Sequence, residues 1–153
     1  MAANASTTRP VVLTTEGRTW LEGRLSRVTA HLEQVSDDLA SERTDELLRE
    51  QAQLTEQRDQ LAQLLRDAVS PGEISDDPEV VELGDEVEVE FPDNSRETFL
   101  IVHPAEAGLD EHRTSADSPL AAAVLGSRPG ERVTVTSPAG VYSCTIVERR
   151  RLG

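Results

Sequence analysis

The sequence contains no lysine, a single cysteine and four aromatic residues. With Cys144 alone the chain cannot form an internal disulfide, which is typical of proteins in a reducing compartment. So few aromatic rings cannot line a large ligand pocket. The 15 basic residues are all arginine and are outnumbered by 29 acids, so the formal net charge is −14. Because phosphate backbones repel such a chain, we expect no direct binding to DNA or RNA.

Long apolar runs are also absent, and none approaches the length of a signal-peptide core or a membrane span. We therefore expect a cytoplasmic protein without a membrane segment. His31, His103 and His112 have no partner at metal-ligand spacing. No base or metal partner is visible for Cys144, which we expect to be a buried strand residue. These observations predict no enzymatic activity of the protein's own.

Apolar residues in the first half of the chain follow the spacing of a coiled-coil seam. The first series is Leu21, Leu25, Val28, Leu32, Val35 and Leu39, and the second is Leu47, Leu54, Leu61, Leu65 and Ala68. Such spacing places each series on one helix face. A single helix through both series is the alternative, but it would require apolar residues at Glu42 and Glu46. The pattern favours an antiparallel helical hairpin over residues 12–70, after a flexible tail at residues 1–11.

The two ends of this hairpin carry different polar residues. Thr14 or Thr15 can cap the first helix, with Glu16 near its positive end. The turn falls in the stretch SDDLASERTDE, residues 36–46, which has five acids, one arginine and neither glycine nor proline. The acids assigned to the hairpin tip are Asp37, Asp38, Glu42, Asp45 and Glu46.

Beyond Ser70-Pro71-Gly72, which ends the second helix, the apolar period changes to two. Residues 71–82 are predicted to be an acidic linker and residues 83–153 a small antiparallel sheet domain. The predicted strands are an alternating segment around Val87, Val89 and Phe91, then residues 97–102, 132–136 and 141–148. Ser118 as a cap, Pro119 at the first helical position and Gly126 as a stop predict one short helix. The fold class is therefore α+β.

Several motifs, in this order, resemble the bacterial Gre family of transcription factors. They are Leu13-Thr14-Thr15-Glu16-Gly17 before the hairpin, Asp117-Ser118-Pro119-Leu120 before the short helix, and Pro129-Gly130-Glu131-Arg132-Val133 leading into a strand. The resemblance implies an antiparallel coiled coil followed by an FKBP-like domain. It also implies a transcription elongation factor that binds RNA polymerase at the rim of the secondary channel, where the sheet domain docks on the β′ subunit and the hairpin enters. Asp117, Ser118 and Pro119 are then the polymerase-binding residues.

The same resemblance gives the acidic tip two interpretations. In cleavage-stimulating members the tip resembles Asp-Leu-Ser-Glu-Asn, whose Asp and Glu hold a second Mg²⁺ beside the polymerase's own. Here the match is Asp38-Leu39-Ala40-Ser41-Glu42-Arg43, in which Ala40 is inserted and Arg43 replaces the Asn. In this alternative Asp38 and Glu42 bind Mg²⁺ shared with the polymerase. Because a metal site tolerates little change in ligand distance, the departures favour a regulator that modulates or inhibits transcription and has no cofactor of its own.

Other functions and arrangements remain open from the residues alone. A prolyl isomerase would need an aromatic-walled pocket, for which the sheet offers three rings. A stand-alone coiled-coil adaptor is the structural alternative. The polar seam residues Gln51 and Arg58 favour a monomeric hairpin over a homodimer. Nine acids and no base between residues 73 and 90 are expected on a solvated face or against a basic patch of a partner.

Overall fold

The computed structural model describes residues 11–71 and 79–151. The helices in these ranges are α1 (Thr15–Ser41), α2 (Asp45–Asp67) and α3 (Pro119–Val124), with a 3₁₀ helix at Pro104–Glu106. The strands are β1 (Val11–Val12), β2 (Ala68–Val69), β3 (Asp85–Glu90), β4 (Arg96–Val102), β5 (Arg113–Ser115), β6 (Arg132–Ser137) and β7 (Gly140–Arg151). Two long helices followed by a sheet domain confirm the predicted α+β class. Within the described ranges, no helix is both long and apolar enough to cross a bilayer.

The two long helices pack against each other along the predicted seam. Its buried residues are Leu32, Val35, Leu39 and Leu54, and the half-buried Val28, Leu47 and Leu48 pack against them. The polar seam residue Gln51 donates from Nε2 to Ser36 Oγ across the hairpin (3.3 Å). On the outside, His31 Nε2 lies 3.1 Å from Glu50 Oε2 on the facing helix. The 27 residues of α1 give the hairpin a length of about 40 Å at 1.5 Å per residue.

The base of the hairpin differs from the sequence prediction both before the first helix and after the second. Helix α2 ends at Asp67, so Ala68 is not the last seam residue but lies in β2, which pairs in parallel with β1. The Arg18 side chain donates to the carbonyl oxygens of Leu65 (3.3 Å) and Ala68 (2.9 Å), and thereby satisfies acceptors at the end of α2. Val11, predicted as the end of the flexible tail, pairs with Ala68. Residues 1–10 lie outside the described residues.

The second sheet has the strand order β5-β4-β3-β7-β6. Its pairs are antiparallel except β4–β5, which is parallel and was not predicted, because the three residues of β5 are too short to show a period. One face of the sheet forms the main core with Ala121 and Val124 of α3. Ser118 caps this helix by accepting from the Ala121 N–H (3.2 Å), as predicted. Cys144 is buried in this core, and its burial raises the pKa of the thiol.

The acidic segment before the sheet domain is only partly described, because residues 72–78 of the predicted linker lie outside the described residues. Val81, predicted within the linker, is buried in the sheet core, and its N–H donates to the Ser127 carbonyl (2.8 Å). Glutamates 86, 88 and 90 alternate with buried valines, as expected of a solvated face. The expectation is wrong for Asp85, which is fully buried and paired with Arg149 and Arg151.

Candidate functional site

The acidic stretch at residues 36–46 forms the far end of the hairpin. Helix α1 continues through Asp38 and Ala40 to Ser41, so the turn is confined to Glu42, Arg43 and Thr44. Glu42 and Thr44 have extended backbone (φ −147° and −117°), which is why the chain turns here without glycine or proline. Thr44 then caps α2 by accepting from the Leu47 N–H (3.1 Å).

All the acids predicted for the tip are exposed. They are Asp37, Asp38, Glu42, Asp45 and Glu46. The Asp38 carboxylate accepts from Gln34 Nε2 (3.1 Å), and the Glu42 backbone N–H donates to the Asp38 carbonyl (2.9 Å). Among the described residues, no group of three or more His, Cys, Asp or Glu side chains could hold a metal ion. Asp38 and Glu42 as metal ligands therefore remain a prediction.

The tip acids at the end of α1 do not serve helix stability. Asp38 lies in the last turn of α1, which contains no basic residue. A carboxylate at this end opposes the helix dipole and costs about 0.3–1 kcal/mol. By contrast, Asp45 and Glu46 lie in the first turn of α2, where the dipole favours them. Helix stability therefore does not explain why acids are present at the end of α1.

Charge is distributed unevenly along the hairpin. Residues 33–56, the half near the tip, contain eight acids and two arginines. Residues 15–31 and 57–71, the half near the sheet domain, contain four acids and five arginines. The negative charge of the hairpin is therefore concentrated at the end that lies far from the sheet domain.

The predicted binding residues form an exposed corner of the sheet domain. Asp117 is exposed, and its backbone N–H donates to Ser115 Oγ (3.1 Å). Ser118 is half-buried at the cap of α3, whereas Pro119 is exposed at the first helical position. The Asp117 carboxylate also opposes, together with Glu106, the lowering of the pKa of His103 that burial causes. The structure thus brings the three predicted residues together on one surface, at a place remote in sequence from the tip.

A third group of polar residues joins the hairpin to the sheet domain. We call it the junction and define it as Thr14, Glu16 and Gly17 of the hairpin with Glu106 and Arg113 of the sheet domain. The Thr14 N–H and hydroxyl donate to the two oxygens of Glu106, at 2.9 and 2.7 Å. Arg113 donates to Glu106 Oε1 (3.1 Å) and to Glu16 Oε1 (2.9 Å). Burial lowers the pKa of Arg113, but these hydrogen bonds outweigh it and hold the pKa above its usual value.

Sequence reasoning did not identify the junction, because Glu106 and Arg113 resemble ordinary surface charges in the sequence. Both are buried in the structure. The available signal was the motif Leu13-Thr14-Thr15-Glu16-Gly17, whose Thr14, Glu16 and Gly17 all contact the sheet domain.

The structure thus combines an exposed corner on a small sheet domain with a long hairpin that carries a charged tip. Comparisons with known proteins identify the family to which this arrangement belongs. The family profile "Transcription elongation factor, GreA/GreB, C-term" matches residues 76–150. "Transcription elongation factor GreA" of Chloroflexus aggregans is 34% identical over 156 aligned positions, which cover 94% of this chain and 99% of the relative. The chain therefore belongs to the GreA/GreB family of transcription elongation factors.

Two further similarities were found. "Transcription elongation factor GreA" of Oceanobacillus iheyensis is 44% identical over 92 residues, which cover 60% of this chain and 58% of that relative. Among solved structures, the GreA factor homolog 1 (Gfh1) of Thermus thermophilus is 30% identical, with a TM-score of 0.41, over 93% of this chain and 99% of that one.

Proposed function

We propose that the protein binds RNA polymerase at the rim of its secondary channel and inhibits transcription with the acidic tip of its hairpin. The observation that carries the proposal is the tip itself. It presents exposed carboxylates on both sides of a three-residue turn, at the end of a hairpin about 40 Å long. Nucleotides pass through this channel together with Mg²⁺. A negative tip inside the channel would obstruct their entry.

In this proposal the sheet domain supplies the affinity. The corner formed by Asp117, Ser118 and Pro119 docks on the β′ subunit, as family membership suggests. The protein acts as a monomer and needs no cofactor of its own. The uneven charge supports these separate roles of the sheet domain and the tip, because the half of the hairpin near the sheet domain is close to neutral.

The alternative within the family is a factor that stimulates transcript cleavage by supplying Mg²⁺ ligands. Two exposed carboxylates are enough for Mg²⁺ when the polymerase supplies the rest of the site. However, Asp38 is in the helix whereas Glu42 follows its end, and Arg43 places a cation next to Glu42 in the sequence. Because a metal site tolerates little change in ligand distance, these departures favour inhibition over cleavage.

The first prediction tests the tip charge. The variant Asp37→Asn, Asp38→Asn, Glu42→Gln should lose inhibition of nucleotide addition by reconstituted elongation complexes. Three unit charges, each contributing about 0.5 kcal/mol in a partly solvated channel, correspond to roughly a tenfold loss. The hairpin should unfold at the same or a higher temperature, because Asp38 opposes the dipole of α1. The readout is the rate of single-nucleotide extension against factor concentration.

The matched control removes three exposed acids from the other half of the hairpin, by Glu22→Gln, Asp59→Asn and Asp67→Asn. It should inhibit as the unmodified protein does. Equal loss in both variants would contradict a role of the tip and indicate an effect of net charge alone. Shortened transcripts in backtracked complexes that disappear with Asp38→Ala or Glu42→Ala would replace inhibition by the cleavage alternative.

The second prediction concerns the docking corner. Asp117→Arg should weaken binding to core RNA polymerase by at least about tenfold, because an interfacial charge is reversed. The fold should be unaffected, since the described contact of Asp117 with Ser115 uses the backbone N–H. Glu97→Arg, an exposed acid on β4, is the control and should bind as the unmodified protein does. Unchanged affinity of Asp117→Arg, measured by fluorescence anisotropy with labelled factor, would refute the docking assignment.

A further inference from the structure

The start of α1 is bound by a buried carboxylate of the sheet domain. Glu106 belongs to the 3₁₀ helix and is fully buried. One hairpin residue, Thr14, donates to both of its oxygens. The unpaired N–H groups at the start of a helix attract anions, and here the sheet domain supplies that anion from its own interior.

The Thr14 hydroxyl connects the helix to this carboxylate. It accepts from the Gly17 N–H (2.9 Å) as the cap of α1, and it donates its proton to Glu106 Oε1 (2.7 Å). Both functions require the hydroxyl to be within hydrogen-bond distance of Gly17 and Glu106 at once. Because hydrogen bonds weaken steeply away from linear geometry, this arrangement is satisfied in a narrow range of hairpin angles.

Two further contacts narrow the range of angles that the hairpin can adopt relative to the sheet domain. Arg113 is buried in the sheet domain and bridges Glu106 to the hairpin residue Glu16. Gly17 is so close to Glu106 that a Cβ at this position would lie 2.2 Å from the carboxyl carbon. A rotation of the hairpin would leave Glu106 with fewer partners in a buried place, which is costly for a charge.

The second arm of the hairpin is fixed as well. Pro71, which follows β2, packs so closely on Gly84 of the sheet domain that a Cβ at Gly84 would lie 2.6 Å from it. Arg18 of α1 holds the end of α2 through its carbonyl groups. The two arms therefore cannot change their angle to the sheet domain independently.

We propose that Thr14, Glu16 and Gly17, with Glu106 and Arg113, are positioning residues that hold the hairpin at a single angle to the sheet domain. The purpose of this angle rests on the proposed function, in which the tip must enter a channel while the sheet domain stays docked. With a hairpin about 40 Å long, a rotation of ten degrees at the junction moves the tip by roughly 7 Å. The junction thus determines where the charge of the tip is placed.

The test measures the angle directly, without polymerase. Spin labels are attached to Gln53→Cys on α2 and Thr134→Cys on β6, both exposed positions, and the distance between them is measured by double electron–electron resonance. Cys144 is buried, and the raised pKa of its thiol keeps it from competing for the label. The unmodified junction should give one narrow distance distribution. Thr14→Val keeps the shape of the side chain but removes the hydroxyl. This variant should give a broad distance distribution or one with several maxima.

Thr44→Val provides the matched control. Thr44 also caps a helix by accepting from the third N–H, but it lies at the tip, away from the sheet domain. If a missing cap alone broadened the distribution, both variants would do so. We expect Thr44→Val and Thr14→Ser to remain narrow, whereas Glu106→Gln broadens as Thr14→Val does. Circular dichroism confirms that each variant is folded.

A distribution in Thr14→Val as narrow as in the unmodified protein, with the same mean distance, would overturn the positioning role. The proposed function is judged separately. Thr14→Val should still bind core RNA polymerase but lose inhibition, and Thr14→Ser should keep both. A broadened distance with unchanged inhibition would leave the junction as the positioning element and refute the role of the tip.

Discussion

Alanine is expected to destabilise the protein at Gly17 and to stabilise it at Gly23, although both glycines lie in α1. At Gly17 the new methyl group would lie about 2.2 Å from the Glu106 carboxyl carbon, so the carboxylate or the helix must move. Glu106 cannot move freely, because Thr14 and Arg113 hold it in a buried place. Overpacking together with the disruption of a buried ion pair should cost about 3 kcal/mol or more.

At Gly23 the same methyl group meets only the end of the Arg27 side chain, at 3.5 Å. This is an ordinary contact with a flexible group. Alanine there should gain about 1 kcal/mol from the higher helix propensity. The two substitutions are chemically identical and six positions apart, so their opposite effects isolate the contact with Glu106.

Urea unfolding measures both effects. The single tryptophan, Trp20, is suited to this because its ring lies near Gly108 of the sheet domain, where a Cβ at Gly108 would be 3.8 Å from the ring. Its fluorescence should report the junction, while circular dichroism at 222 nm reports the helices. A Gly17→Ala variant as stable as the unmodified protein would show that the junction can rearrange with little loss in the free energy of unfolding. It would also mean that the contact between Gly17 and Glu106 does not restrict the angle of the hairpin.

Local signals in the sequence were sufficient for the parts of the fold that depend on neighbouring residues. The seam of Leu32, Val35 and Leu39 and the caps Thr14 and Ser118 all depend on residues within a few positions of one another. A helix repeats its environment every three or four residues, so a pattern in the sequence reveals it directly.

The features that were missed depend on residues far apart in the chain. Thr14 and Glu106 are separated by 92 positions, and no local sequence pattern predicts their hydrogen bonds. The strand β5 and the β1–β2 pair are too short to show a period. Buried charges are the hardest class, because the same Glu or Arg is far more often solvated. The exposure of the tip could be predicted, whereas the contacts of the junction could not.

Asp85 is a buried charge outside the junction, and its removal is expected to have an effect as large as that of Gly17→Ala. Its carboxylate accepts from Arg151 Nε (2.8 Å) and from the Glu82 N–H (2.9 Å), and Arg149 Nη1 lies 3.5 Å away. Asp85→Ala would leave two guanidinium groups and a backbone donor without their shared acceptor. Breaking a buried ion pair in this way should lower the free energy of unfolding by about 3–5 kcal/mol. It would also loosen the start of β3 from the end of β7, which these bonds join.

Glu88 on the same strand offers the contrast, because it lies on the solvated face and its carboxylate is 3.6 Å from the exposed Arg96. Glu88→Ala should cost less than about 1 kcal/mol, and that cost should vanish in high salt. The cost of Asp85→Ala should persist in high salt, and adding Arg151→Met should cost less than the two single effects summed, since the orphaned guanidinium is removed as well. Urea titrations at low and high ionic strength measure all three variants. Equal, salt-sensitive costs at positions 85 and 88 would mean that Asp85 is solvated in solution and that the acidic segment is one continuous surface.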